Sequence, residues 1–162
     1  MPEPQSETSV IAHEIRVQAE PETVFAFFTD PEKMVRWMGV GATLDPRPGG
    51  VFSLNMMAGY FVEGEYVAVE PYSRVVFTWG YGFLPDEQNP LPPGSSTVEV
   101  ELVPGGNATI VRLTHRVPVE LVDFHVMGWE NYLGRLAIVA GGEVPGPDPF
   151  REVLSLLIAG SD

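Results

Sequence analysis

From Ala42 to Val117 the chain is written in strand-length runs joined by turns of a few residues, and only then does one long helix follow. That order constrains the fold most. The runs are Val51 to Met57, Phe61 to Glu70, Arg74 to Tyr81, Thr97 to Val103 and Ala108 to Val117. Pro71-Tyr72 and Pro104-Gly105-Gly106-Asn107 read as hairpin turns, and Pro46-Arg47-Pro48-Gly49-Gly50 turns a short strand into a longer one. Connections this short join antiparallel neighbours, because a parallel pair needs a crossover of about a dozen residues or more. Upstream, Ser9 to Ala19 alternates apolar and polar residues, the mark of a half-buried strand. Pro21 then suits a helix start, and Val24, Phe25, Phe27 and Phe28 give a short apolar helix. Asp30 is placed to cap a second one carrying Met34, Val35, Trp37 and Met38. The long helix is expected over residues 119–140. Its apolar stripe is Val122, Val126, Trp129, Leu133, Leu136 and Ala140, and Gly141-Gly142 stops it.

Pairing each hairpin through its turn assigns the faces. With Glu70 opposite Ser73, Val62, Gly64, Tyr66 and Ala68 share a face with Val75, Phe77, Trp79 and Tyr81. In the next hairpin Val98, Val100 and Leu102 lie with Val111, Leu113 and His115, while Glu99, Glu101, Arg112 and Arg116 point outward. Phe52, Leu54 and Met56 continue the inner face. The concave side is therefore aromatic and nearly uncharged. Such side chains either fill a core against the long helix or line a pocket for a small apolar molecule, with Tyr66, Tyr81 and His115 as its few polar groups. The expected cavity set is Phe52, Leu54, Met56, Tyr66, Phe77, Trp79, Tyr81, Val98, Val100, Leu113, His115, Trp129 and Leu133.

The charge balance excludes some partners. Twenty-two acidic residues against nine basic ones give a formal net charge of −13. That field repels phosphate backbones and anionic membranes, and no run of Lys or Arg offsets it, so nucleic acid is not expected. No apolar run approaches the ~20 residues that span a bilayer, so membrane insertion is not expected either. With no signal-like opening segment, a cytoplasmic location is the default. The absence of cysteine removes disulfides and thiolate metal sites.

Two stretches carry a family resemblance. PETVFAFFTDPEKMVRWMGVGATLDPRPGGVFSL runs from Pro21 to Leu54, and ATIVRLTHRVPVE, from Ala108 to Glu120, leads into HVMGWENYLGRL, from His125 to Leu136. Val24-Phe25, Trp37, Asp45-Pro46, Gly49-Gly50, Gly64, Tyr66, Pro71, the Arg74–Trp79 strand and Gly128-Trp129 stand in matching order. Together they resemble the activator of heat-shock protein 90 ATPase homologue family of the START-like, helix-grip superfamily, over about Ile11 to Ala140. The resemblance implies an α+β helix-grip fold. A curved antiparallel sheet of six to seven strands would wrap a long C-terminal helix, with two short helices between the first two strands and an extra helix at the end. It also implies a cavity for a lipid, hormone or polyketide. The family's eukaryotic co-chaperones carry a further N-terminal domain. Here the first strand begins near residue 9, so that companion is not expected, and chaperone binding is a separate possibility to be tested directly. Gly49-Gly50 fits a tight corner, and Gly128 is expected to let the helix approach the sheet.

Nothing in the sequence demands an enzyme. There is no GxSxG, GxxxxGK or strand-borne GxGxxG motif, and no cofactor is implied. The catalytic candidates are His13, His115 and Tyr66, the groups a polyketide cyclase or aromatase acting in such a cavity would use. Antiparallel pairing of the first and last strands is expected to set His13 opposite His115, with His125 at the start of the long helix. No HExxH-type spacing accompanies them, and no metal is expected. Glu130 and Arg135 on the long helix are further candidates for reaching a ligand. The proline-rich stretch Gly80 to Ser96 is either a lid or a stiff connector.

Residues 1–8 read as a loose tail, 9–142 as the domain, and 143–162 as a spacer with an amphipathic helix. In that helix Asp148 is the cap and Pro149 the first residue, and Phe150, Val153, Leu154, Leu157 and Ile158 form one apolar face. Such a face must be covered by its own domain or by a second copy, and a homodimer through it is the expectation.

Overall fold

The computed structural model describes residues 7–57 and 59–159, without the side chains of Asp86, Leu157, Ile158 and Ala159. Its seven strands are β1 (Thr8–Val17), β2 (Gly41–Leu44), β3 (Val51–Met57), β4 (Tyr60–Glu70), β5 (Arg74–Trp79), β6 (Ser96–Gly105) and β7 (Ala108–Pro118). They form one antiparallel sheet in the order β1-β7-β6-β5-β4-β3-β2. Helices α1 (Pro21–Ala26) and α2 (Pro31–Met34) stand between β1 and β2. A 3₁₀ turn, Val119–Leu121, leads into α3 (Val122–Ala140), and α4 (Phe150–Ala159) ends the described chain. This is the α+β helix-grip arrangement, with α3 on the inner face of the sheet. No helix among the described residues is long and apolar enough to cross a membrane.

Local chemistry accounts for the corners. Asp30 caps α2 by accepting from the Glu32 N–H at 2.9 Å, and Pro31 follows at the first helical position. Gly49 takes φ +84°, and a Cβ on Gly50 would lie 1.9 Å from the Asp45 carbonyl oxygen, so the turn before β3 requires both glycines. Gly142, at φ +93°, closes α3, with the Glu143 N–H returning to the Ile138 carbonyl.

In the β6–β7 hairpin the faces are the expected ones but the turn is tighter: β6 runs on to Gly105, which pairs with Ala108, so Val98 lies opposite His115 and Val100 opposite Leu113. The β4–β5 hairpin differs near its turn. Glu70 faces Arg74, and Tyr72 sits at φ 97° inside a three-residue turn. A bulge between Tyr66 and Ala68 then restores the expected pairing of Tyr66 with Phe77. Its consequence is that Val69, not Ala68, lies opposite Val75.

The buried face of α3 is also turned from the expected stripe. His125, Gly128, Trp129, Tyr132, Leu133 and Leu136 are its buried residues, whereas Val122, Val126 and Ala140 are only partly covered. A second element, α4, packs on the flank of α3 that the stripe left for solvent.

Candidate functional site

The sheet and α3 grip each other closely over most of their contact. Phe52 and Phe77 stack at 4.0 Å, and Tyr66 meets Phe52 edge-on at 5.5 Å. Leu54, Val98, Val100, Leu113 and Leu133 are buried among them. These eight members of the expected cavity set pack as core and are not among the residues lining the inner cavity. Tyr66 is spent structurally as well: its hydroxyl donates to the Phe28 carbonyl at 2.8 Å and ties β4 to the end of α1. Burial raises its pKa, so it holds that proton.

Space remains at one end. A cavity of about 30 Å³ lies between β3–β5, α3 and α4, lined by Met38, Met56, Tyr60, Val62, Trp79, Phe124, His125, Gly128, Trp129, Tyr132, Phe150 and Leu154. That is roughly one water's share of liquid volume, far below the ~300–1,000 Å³ of a small-molecule pocket. Of the expected set, Met56, Trp79 and Trp129 reach it directly. Tyr81 and His115 stand behind its wall, against His125 at ring separations of 6.1 and 5.2 Å.

The polar groups here divide into spent and unspent. His115 is fully buried and both its nitrogens are engaged. Trp129 Nε1–H, which can only donate, points at His115 Nδ1 at 3.1 Å, so that nitrogen must accept. The His115 proton therefore sits on Nε2 and is donated to Ser96 Oγ at 2.9 Å, while Ser96 donates onward to the Trp79 carbonyl at 2.8 Å. Burial, then the neighbouring His125, holds the His115 pKa well below its ordinary value. His125 donates from Nδ1 to the Leu121 carbonyl at 2.9 Å, which leaves Nε2 as a free acceptor when the ring is neutral. Burial lowers its pKa too, only partly opposed by that hydrogen bond. Trp79 Nε1–H is buried without a hydrogen-bond partner among the described residues. Tyr60 and Tyr81 meet edge-on at 6.0 Å, and burial raises both their pKa values, keeping both hydroxyls protonated.

The histidine expectation is corrected in one respect. His13 pairs with Leu113, and Ile11 is the residue opposite His115. The register of β1 on β7 runs two residues away from the assumed one. His125 on α3 is the histidine that meets His115, brought there by tertiary packing that spacing in the sequence does not report. Among the described residues no group of three potential metal ligands comes together. Glu130 is exposed, and Arg135 is used within the fold, donating to the Trp37 and Gly146 carbonyls at 3.3 and 2.8 Å.

Both proline-rich segments are pinned. In the Gly80 to Ser96 stretch Leu91 is buried in the core, and Asn89 donates to the Tyr81 carbonyl at 2.7 Å. Asp148 does more than cap α4. Oδ1 accepts from the Phe150 N–H and from Asn131 Nδ2, both at 2.9 Å, and Oδ2 accepts from the Tyr132 hydroxyl at 2.9 Å. Phe150 and Leu154 are thereby set into the cavity wall, 5% and 1% exposed. Val153 packs partly buried on the same core, while the side chains of Leu157 and Ile158 lie outside the described residues. Gly128 serves this seat: a Cβ there would meet only the Phe150 ring, at 3.5 and 3.6 Å, and no sheet atom.

The model of one protein family, the activator of Hsp90 ATPase homolog 1-like proteins, matches residues 18–141. The chain belongs to this family. An AHSA1-like protein of Rhizobium etli, solved by NMR, is 43% identical, with 89% of each chain covered and a TM-score of 0.67. CalU16 of Micromonospora echinospora is 30% identical over 88% of this chain and 71% of its own, with a TM-score of 0.66. The Aha1 dimer of Colwellia psychrerythraea, 18% identical, covers 83% of this chain and 98% of its own at a TM-score of 0.67, and shares the fold. No curated protein matches the chain. The family match stops at residue 141, so α4 lies beyond it.

Proposed function

We propose that the chain binds a small, largely apolar molecule between the sheet and α3, as a carrier or sensor. The observation that carries this reading is the unpartnered Trp79 Nε1–H in an aromatic wall, beside the free Nε2 of His125. A buried donor without a partner costs about 1–3 kcal/mol, and a ligand acceptor would recover it. Family membership and the aromatic inner face support the same reading. Native mass spectrometry of protein purified from its own host, followed by extraction, tests it. One apolar molecule per chain is expected, and a clean mass of the bare chain would count against it.

A second reading, a cyclase- or aromatase-like enzyme, draws on one observation. His125 is a neutral base whose Nε2 makes no hydrogen bond among the described residues, so it is the residue placed to take a proton from a bound molecule. His115 would position it through ring contact and takes no proton itself. Cyclisation of a supplied polyketide chain that is lost in a folded His125→Gln variant would favour this reading. A homodimer through α4 would have to leave Phe150 and Leu154 in place or use another surface. Light scattering of the chain with and without residues 148–162 decides between these.

A further inference from the structure

Phe150 and Leu154 of α4 line the cavity together with Trp79 and Trp129, and the Phe150 ring packs on Phe124 at 5.4 Å and Tyr132 at 5.7 Å. Phe150 and Leu154 seat this helix in the core, and polar contacts hold its start. Asp148 holds it to Asn131 and Tyr132, and Arg135 holds the Gly146 carbonyl. The outer face, Arg151, Glu152, Ser155 and Leu156, is exposed. The connection back to α3 is 141–149, with Gly141, Gly142 and Gly146 as pivots and Val144 90% exposed. Its departure uncovers Phe150 and Leu154 and releases the Ser155 contact to Met57 Sδ, but it breaks no strand pairing, so the segment can leave as a unit.

We propose that α4 is an intramolecular plug: Phe150 and Leu154 occupy part of the ligand's place, Asp148 latches them, and their release admits a flat apolar molecule presenting one hydrogen-bond acceptor to Trp79 Nε1–H. The proposal rests on the ligand-binding reading above and adds to it a competitor and a selecting contact. Plug and ligand exclude each other, so the apparent affinity of the whole chain is reduced by the fraction of molecules that stand open. A ring system with a single carbonyl suits Trp79, which only donates. The same skeleton without the carbonyl leaves that donor unpaired.

Fluorenone and fluorene form a matched probe pair with and without the acceptor. Their binding is measured calorimetrically on the whole chain, on Asp148→Ala, which removes the latch and frees the Tyr132 hydroxyl but truncates no side chain lining the cavity, and on the Phe150→Ala/Leu154→Ala double variant. Amide spectra verify that each is folded. Fluorenone is expected to bind both variants about ten-fold or more tighter than the parent chain, and more tightly than fluorene in each. Hydrogen exchange in α4 of the parent chain should speed up when fluorenone binds. Equal affinity in all three proteins would overturn the plug while leaving ligand binding intact. Equal affinity for the two probes would overturn the Trp79 contact. Folded variants that bind neither probe would overturn the plug and the ligand reading together.

Discussion

The two ends of the grip are built from the same kinds of residue and differ in how their polar atoms are spent. At the α1–α2 end, Trp37 Nε1–H donates to the Phe27 carbonyl at 3.0 Å and the Tyr66 hydroxyl to Phe28, under a stacked Phe52–Phe77 pair. At the α3–α4 end, Trp79 Nε1–H has no partner, His125 keeps one nitrogen free, and a helix beyond the family match covers the opening. Aromatic content alone therefore does not mark a pocket in this fold. An unpaired buried donor on the inner face does, because a closed core leaves few of them; the other unpartnered buried side-chain atom among the described residues, Asn55 Oδ1, is an acceptor and does not line the cavity.

The largest expected effect breaks the closed end. Phe52→Ala should cost about 3–5 kcal/mol in denaturant unfolding, as a fully buried ring in a site that cannot collapse. Phe150→Ala should cost clearly less, because α4 can leave its seat. Equal losses would mean that the two ends are packed alike.

A volume-matched pair sharpens the contrast. Trp37→Phe strands the Phe27 carbonyl and should cost about 1–3 kcal/mol more than Trp79→Phe, which deletes a donor that bonds nothing. Chemical denaturation of both variants measures the difference. Its absence would show that Trp79 is satisfied in solution.

The buried histidines set the acid side of stability. Both are held below the ordinary value of 6.5 by burial, so the unfolded chain takes up protons before the folded one does. Their contribution is complete above pH 6.5 and is lost as pH falls from there towards the depressed folded values. Protonation of His115 also costs the Trp129 bond, since Nδ1 can then no longer accept. Thermal melts across this range should show the decline, and His125→Gln should make it shallower.

The smallest expected effect is at the latch. Asp148→Ala removes a cap and should lower global stability by about 1 kcal/mol, measured in urea. A much larger loss would make α4 part of the cooperative core and would contradict its independence.

Much of this was legible in the sequence because it is periodic. Alternation on β6 and β7 assigned their inner and outer faces, although the pairing runs two residues further into the turn than expected, to Gly105 opposite Ala108. The capping roles of Asp30 and Asp148 followed from their place before proline. What stayed hidden lies outside local pattern. A bulge after Tyr66 offsets a longer turn, and the Tyr66 hydroxyl finds a backbone carbonyl far away in sequence. Neither leaves a trace in residue type. His125 was visible as the start of a helix, but its meeting with His115 depends on how α3 rolls against the sheet. The apolar face of α4 announced that something must cover it. Amphipathicity says nothing of what, and for Phe150 and Leu154 the answer is the wall of the inner cavity.

The central contrast is tested most directly by the indole N–H signals of ¹⁵N-labelled protein during a fluorenone titration. Trp37, Trp79 and Trp129 are the three tryptophans, each in a different hydrogen-bonding state. The Trp79 signal is expected to move downfield as its proton gains an acceptor, while Trp37 stays in place. A Trp79 signal that does not move, or a Trp37 signal that moves as far, would contradict the account.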